Sequence, residues 1–328
     1  MKLSIIIVGY NTKDYILDCL NSIYNIKHNV DLETIIVDND STDSSETVIT
    51  RSYPQVKWIN MGYNSGFSRA NNAGIKEAKG EFILILNPDT ILKQGFFEQF
   101  ISFYEKNDKS LNLGLLGCRI KTIDGKELLV GSKRGFPSIS KQILVNPILF
   151  KLNNIFKFIK PNNYNAYEMH LKNHEVDYLS GACLLIQKEK LTSNNLLMDE
   201  DFFLYSEDVD WSYRIQKAGF TNYFCAEIEV YHINSGSTDS MKDKKFLQIM
   251  LSRLLLIQKS YGTLYFLLYC LLVRFNDTTR RIFIKLGAVV ADDEEHDLMY
   301  IVVKKKFNHV WKNYVKGNAN GEYLKYDS

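Results

Sequence analysis

The chain has no CxxC pair, no excess of charge of either sign and no apolar run long enough to span a bilayer, and each absence removes a class of protein. Its five cysteines, Cys19, Cys118, Cys183, Cys225 and Cys270, are odd in number and far apart. Neither a disulfide framework nor a zinc site is expected, and a reducing compartment is; the thiols read as small buried apolar residues. The 40 basic residues are offset by 38 acidic ones, a net charge of +2, so no global cationic field points to nucleic acid. In the C-terminal part the uninterrupted apolar run TLYFLLYCLLV covers 11 residues, against the about 20 that a spanning helix takes. The opening run SIIIVG is short and is followed by no small-residue cleavage site, so it reads as a buried strand and not as a signal peptide. Neither GxxxxGK[ST] nor GxGxxG follows a strand, which disfavours P-loop and dinucleotide folds.

What is present is a chain of 328 residues, 45% hydrophobic and 24% charged, enough for one large or two smaller domains with a sizeable core. Strand and helix patterns alternate at short spacing. SIIIVGYN (4–11) precedes a helical repeat of Tyr15/Ile16, Leu20, Ile23 and Tyr24. LETIIVDNDS (32–41), VKWINMG (56–62) and EFILILNPD (81–89) are further strands, separated by helices after STDSSE and over 68–80. A helix over 90–107 and a strand over 113–120 follow. This is the pattern of an α/β protein with a parallel sheet covered on both faces. Residues 130–175 lack clean periodicity and read as a mobile loop or a substrate lid. VDYLSGACLLIQKEKL (176–191) reads as strand, turn, strand, with small residues Ser180, Gly181 and Ala182 permitting a close approach. A helix begins near Glu207-Asp208, and a strand ends at His232.

In open sheets of this kind ligands sit outside the carboxyl ends of the strands. Those ends are polar four times over: Gly9-Tyr10-Asn11, Asp38-Asn39-Asp40, the run into GYNSGFSRANN, and Asn87-Pro88-Asp89. One such end is a turn, because proline fixes φ and biases the residue before it toward extended backbone. Four along one edge read as a site.

Taken together, SIIIVGYN, IIVDNDSTD, NSGFSRANNAGI, LILNPDT, LSGACLLI, FFLYSEDVDWSYRIQKAGF and YHINSGST resemble, in order and spacing, the family-2, GT-A-type glycosyltransferases, and most nearly the rhamnosyltransferase-like branch that builds bacterial surface polysaccharides. The resemblance covers about residues 3–238. It implies a GT-A-type, Rossmann-like, mostly parallel sheet flanked by helices over 1–240, with a nucleotide half to about residue 120 and an acceptor half after it. Residues 241–328 would form a helical extension. It implies a nucleotide-sugar donor, a lipid-linked saccharide or growing glycan as acceptor, and a divalent cation, Mg2+ or Mn2+. Asp89 would be the metal-contacting carboxylate of the family's DxD motif and His232 a further metal contact. Asn87 stands where that motif has its first aspartate, which removes one charge. Val8 and Tyr10 would flank the nucleoside, one or more of Asp38, Asn39 and Asp40 would hydrogen-bond it, and Arg69 would approach the base or diphosphate. Asp208, of the ED-type motif, would be the base of an inverting displacement, with Glu207 and Asp210 as like charges able to raise one pKa among them.

The tail FLQIMLSRLLLIQKSYGTLYFLLYCLLVRF (246–275) is densely apolar but interrupted. It reads as two helices packing on the sheet domain, or as an interfacial helix flanked by Arg274, Arg280, Arg281 and Lys285 on an anionic membrane. The second reading places the protein in the cytoplasm, peripheral on the inner face of the plasma membrane. The stretch 289–307 reads as a last helix plus strand or a solvated end. Two rivals stand beside the transferase: a nucleotidyltransferase, which usually carries a glycine-rich loop where this chain has VGYNTKDY, and a binding subunit without transfer activity.

Overall fold

In the computed structural model, residues 1–126, 132–133, 135–146, 148–149, 152–153, 170–233, 242–285 and 302–309 are described. The chain divides into two compact units, one of residues 1–134, 165–203 and 207–237, the other of 135–164, 204–206 and 238–328.

The first unit is built on a mixed sheet. Strands β1 (Leu3–Gly9), β2 (Leu32–Asp38), β3 (Lys57–Asn60) and β4 (Phe82–Leu86) are parallel in the order β3-β2-β1-β4. Strand β5 is the short Thr90–Ile91, β6 is Leu113–Lys121, β7 Ser132–Lys133, β8 His174–Glu175, β9 Tyr178–Leu179, β10 Cys183–Gln187 and β11 Thr221–His232. The sheet continues from β4 through β10, β6 and β11 to β5, while β7 and β9 pair with each other. Strand β10 is antiparallel to both β4 and β6, so β6 and its parallel partner β11 run in the direction of the first four strands.

Apolar alternation explains why both faces are covered. Ile5, Ile7, Ile36, Leu84 and Leu86 cluster with Ile16, Cys19 and Leu20 of helix α1 (Lys13–Asn25), Ile49 of α2 (Ser45–Ser52) and Phe96, Phe97 and Phe100 of the helix Phe96–Leu111. Ile6, Ile35, Val37, Ile83 and Ile85 join the opposite cluster, with Ala70 and Ile75 of α3 (Gly66–Glu77) and Trp211 and Ile215 of the helix Glu207–Lys217. A strand buried on both faces reads as a continuous apolar run, and truncating such a leucine or isoleucine to alanine costs about 2–5 kcal/mol. All five cysteines are buried.

The structure departs from two expectations. The helix expected over 90–107 starts at Phe96, behind Gly95 at φ +81°, because Thr90 and Ile91 pair with His232 and Tyr231. The segment VDYLSGACLLIQKEKL ends in a helix, Lys188–Ser193, and not in a strand.

The second unit holds the helix Ile139–Val145 and the helices Lys242–Tyr261 and Thr263–Lys285, separated by Gly262 at φ +84°. Residues 302–309 are also helical. Polar contacts explain why 135–146 groups with these helices. Gln142 Nε2 donates to the Tyr269 hydroxyl at 3.0 Å, Asn276 Nδ2 to the Gln142 carbonyl at 2.9 Å, and Asn146 Nδ2 to Thr279 Oγ1 at 2.8 Å. The Leu204 carbonyl accepts from Gln248 Nε2 and Ser252 Oγ at 3.1 and 2.7 Å. Among the described residues no helix is long and apolar enough to cross a membrane. Much of the irregular stretch 130–175, together with residues 234–238 and 289–301, lies outside the described residues.

Candidate active site

Strand register brings the polar ends to one edge. Gly9 is level with Asp38, and Asp38 with Asn60. On the other side of β1, Ile6 is level with Ile85, so the Asn87–Asp89 turn leaves β4 at the same edge. Strand β11 delivers His232 there, and β5 folds back antiparallel against it, with His232 opposite Thr90.

The two loops after β1 and β2 brace each other. Asn11, at φ +53°, donates its N–H to Ser41 Oγ and accepts the Thr42 N–H, both at 2.8 Å. Asp43 accepts the Lys13 N–H at 2.9 Å and bonds the Ser45 hydroxyl. Burial alone would raise the Asp43 carboxyl, but the donors from Ser45 and Lys13 hold it below its ordinary range. Asn39 is committed in the same way: its Oδ1 accepts from Ser65 N and Oγ at 3.1 and 2.7 Å, and its Nδ2 donates to the Gly66 carbonyl at 3.1 Å. Asp40 is exposed, at φ +65°. Asp38 is buried; its Oδ2 accepts the Ser41 N–H at 2.9 Å, while its buried Oδ1 has no hydrogen-bond partner among the described residues. Val8 is half-buried near the end of β1, and Tyr10, just beyond that end, is 49% exposed.

Asn87, Asp89 and His232 meet. His232 Nε2 lies 3.1 Å from Asp89 Oδ1 and 3.3 Å from Asn87 Nδ2. Thr90 Oγ1 closes the turn by donating to the Asn87 carbonyl at 2.7 Å, and the Ile233 N–H donates to the Asp89 carbonyl at 2.8 Å. Among the described residues no group of three or more His, Cys, Asp or Glu is arranged to hold an ion. One carboxylate, one imidazole and one amide are also fewer ligands than an octahedral cation takes. Asp89 and His232 are the residues that would hold a cation here, and so small a set would suit one that keeps most of its waters, as Mg2+ usually does.

Asp208 lies in the first turn of the helix Glu207–Lys217, where the helix dipole favours a carboxylate. Its Oδ2 accepts the Gly181 N–H at 3.1 Å and its Oδ1 the Val209 N–H at 2.8 Å. The carbonyl of the next residue in the Ser180–Ala182 turn, Ala182, accepts the Asn87 N–H at 2.9 Å. Asp208 and the Asn87–Asp89 turn thus hang on consecutive residues. Bond lengths limit Gly181 N to Ala182 O to about 6 Å, which keeps the Asp208 carboxylate within about 12 Å of the Asn87 nitrogen. Of the neighbouring acids, Asp210 is paired with Arg214 Nε at 2.7 Å. Glu207 is the one whose carboxyl is raised: burial first, and the Asp208 charge second, push it well above its ordinary value, and its Oε2 is buried with no hydrogen-bond partner among the described residues.

Sequence reasoning missed the residues that hold the segment leading to Asp208. Asn72 of α3 donates Nδ2 to the Met198 carbonyl at 2.8 Å and accepts the Met198 N–H at 3.0 Å. The Phe67 N–H donates to the Phe203 carbonyl at 2.7 Å. Gly66, at φ +79°, makes that approach possible, since a Cβ there would fall inside contact distance of the Phe203 oxygen. The available signal was an amide on the buried side of an amphipathic helix, where polar groups find partners. Arg69, on the same helix, is exposed, its Nε 4.0 Å from Glu200.

The glycosyl transferase family 2 model matches residues 4–193. This chain belongs to that family. It is 26% identical over 234 residues to the low-salt glycan biosynthesis hexosyltransferase Agl10 of Haloferax volcanii, covering 70% of this chain and 66% of that one. It is 26% identical over 223 residues to the N-acetylglucosaminyl-diphospho-decaprenol L-rhamnosyltransferase of Mycobacterium tuberculosis, covering 63% and 68%. The match thus spans about two thirds of the length of each relative. Among solved structures, S. aureus TarS superposes with a TM-score of 0.55 at 17% identity, over 97% of this chain and 50% of that one. TarS 1–349 in complex with UDP-GlcNAc gives 0.51 at 16%, over 97% and 92%. The fold is accordingly of the GT-A type, with a helical C-terminal region.

Proposed function

We propose that this family-2 glycosyltransferase moves a sugar from a nucleoside diphosphate to a lipid-linked saccharide or growing surface glycan, inverting the anomeric configuration with the aid of Mg2+ or Mn2+ at Asp89 and His232. The observation that carries the reading is the Ser180–Ala182 turn, whose consecutive residues hold the Asp208 carboxylate and the Asn87 backbone. A base and a diphosphate site in one neighbourhood are what a single displacement requires.

Asp208 takes the proton of the acceptor hydroxyl as that oxygen attacks the anomeric carbon. The bond from that carbon to the diphosphate oxygen breaks on the opposite face, and the nucleoside diphosphate leaves with the electron pair. A cation bound at Asp89 and His232 would offset the charge developing on the diphosphate. Asn87 Nδ2 lies against the same His232 ring nitrogen that faces Asp89. The open acceptor oxygen of Asp38 suits a base N–H, and the exposed Tyr10 ring suits the flat face of a nucleoside. Arg69 of α3 supplies a positive charge for the diphosphate. The names of the two relatives, a hexosyltransferase of glycan biosynthesis and a rhamnosyltransferase acting on a decaprenol-linked diphosphate sugar, support a hexose or deoxyhexose such as rhamnose and a lipid-linked acceptor. The TarS complex supports a nucleotide-sugar donor.

A panel of UDP-, dTDP- and GDP-sugars with Mn2+ tests the reading. One donor is expected to raise the melting temperature and to yield product of inverted configuration, with transfer abolished by EDTA. A retained configuration rejects the single displacement, and undiminished transfer in EDTA rejects the cation. Binding without transfer to any lipid-linked acceptor leaves a silent binding subunit.

A further inference from the structure

The segment that delivers Asp208 enters its helix through a disfavoured backbone. Tyr205 and Ser206 stand at φ +67° and +63°, directly before the helix Glu207–Lys217, whereas the residue that precedes a helix ordinarily has extended backbone. The left-handed region brings Cβ too close to the following carbonyl oxygen, and a bulky side chain such as tyrosine is an outlier there. Elsewhere among the described residues the non-glycine residues at positive φ are single, and each is Asn, Asp or Ser. Two in succession, one of them tyrosine, persist only where their surroundings hold them.

A hold lies on the residue before them. The Leu204 carbonyl accepts from Gln248 Nε2 at 3.1 Å and from Ser252 Oγ at 2.7 Å, and Gln248 Nε2 also reaches Ser252 Oγ at 3.0 Å. Gln248 and Ser252 are four residues apart on the helix Lys242–Tyr261, where such a pair shares one face. Both are buried, so water competes little for the carbonyl on which their donors converge. These bonds lie within the second unit, to which residues 204–206 belong, and the chain then runs by peptide bonds into Glu207 and Asp208 of the first. There the Asp208 carboxylate accepts the Gly181 and Val209 N–H groups. A carboxylate two residues beyond a disfavoured backbone is displaced when that backbone relaxes.

We infer that Gln248 and Ser252 are positioning residues for Asp208: by fixing the Leu204 carbonyl they keep Tyr205 and Ser206 in left-handed backbone, and that backbone sets where the Asp208 carboxylate stands. The inference rests on the proposed function for the role of Asp208 as the base.

The test is the double variant Gln248→Met, Ser252→Ala of the full chain, which removes both donors and keeps side-chain size close. Without substrate, hydrogen exchange of the Gly181 amide should quicken by about tenfold or more, because its acceptor is the Asp208 carboxylate. A role confined to the second unit would quicken exchange only around Leu204. With the nucleotide sugar that turns over in the panel of UDP-, dTDP- and GDP-sugars, turnover per folded molecule should fall by about ten- to a hundredfold, while donor affinity stays within about twofold. Adding Ser206→Gly should recover about threefold or more of that loss, since glycine takes left-handed backbone without the Cβ penalty. Unchanged Gly181 exchange, wild-type turnover per folded molecule, or no recovery with glycine overturns the inference. Should the double variant not fold, Ser252→Ala alone serves: the exchange and turnover readings should each move by about threefold, Ser252→Thr should leave both in place, and no movement in Ser252→Ala overturns the inference. Turnover abolished by Asp208→Asn but untouched by the double variant defeats the positioning role alone; turnover retained in Asp208→Asn defeats the functional reading, whatever the Gly181 exchange.

Discussion

Two polar regions at the same sheet edge differ in what their side chains are doing. In the loop after β2, Asn39 makes three hydrogen bonds to Ser65 and Gly66, and Asp43 ties its loop to Lys13. In the turn after β4, the side chains of Asn87 and Asp89 meet His232. The first group builds the edge; the second is held by backbone contacts that leave its side chains for one another. Asp38 straddles the two, with one oxygen on Ser41 and the other unpartnered among the described residues. Polar residues crowded at a strand end are therefore of two kinds, and what separates them is how far their hydrogen-bonding capacity is already used.

Substitutions can break or sharpen this contrast. Asp208→Asn should have the largest effect: turnover falling by about 10²–10⁴-fold, the usual worth of a general base, while donor affinity by isothermal titration stays within a few-fold. Turnover near wild type in that variant would remove Asp208 from the reaction. Gly66→Ala comes next, because it places a methyl group against the Phe203 carbonyl in a left-handed backbone; a loss of about 3 kcal/mol in urea unfolding is expected, and an unchanged midpoint would contradict the close approach. The pair Asp38→Asn and Asn39→Ala separates the two kinds of residue most sharply. Asn39→Ala should cost roughly 1–3 kcal/mol of stability by leaving buried groups unpaired, whereas Asp38→Asn should weaken donor binding by about tenfold with a smaller effect on unfolding. The reverse pattern would exchange their roles.

The smallest effect concerns Glu207. Its folded-state value is raised above the ordinary 4.5 by burial and then by Asp208, so the folded chain holds this proton more tightly than the unfolded one. The stabilisation is complete below the unfolded value and is lost as pH climbs toward the raised folded value. Glu207→Gln, which cannot ionise, should show a flatter stability–pH profile above the unfolded value than the wild type. Parallel profiles would show that Glu207 is not held neutral.

Much of this arrangement is legible in the residues. The apolar runs of β1, β2 and β4 and the polar tips that follow them predict a sheet buried on both faces with a site at its edge. Less legible is whatever depends on distant partners. Nothing near residue 90 announces that Thr90 and Ile91 will pair with β11 rather than begin a helix. Nothing near Asn39 announces Ser65 and Gly66, 26 and 27 residues on. The grouping of 139–145 with the C-terminal helices rests on contacts such as Gln142 to Tyr269, 127 residues apart. Local pattern predicts elements; which polar side chains are used up in joining them is decided by the fold.

The most direct measurement is titration of the donor's nucleoside diphosphate into wild-type protein and into Asp89→Ala, with and without Mn2+. If Asp89 and His232 hold a cation against the diphosphate, Mn2+ should tighten binding to the wild type by about tenfold or more, and the variant should lose this gain. Affinity indifferent to Mn2+ in the wild type, or an undiminished gain in the variant, would contradict it.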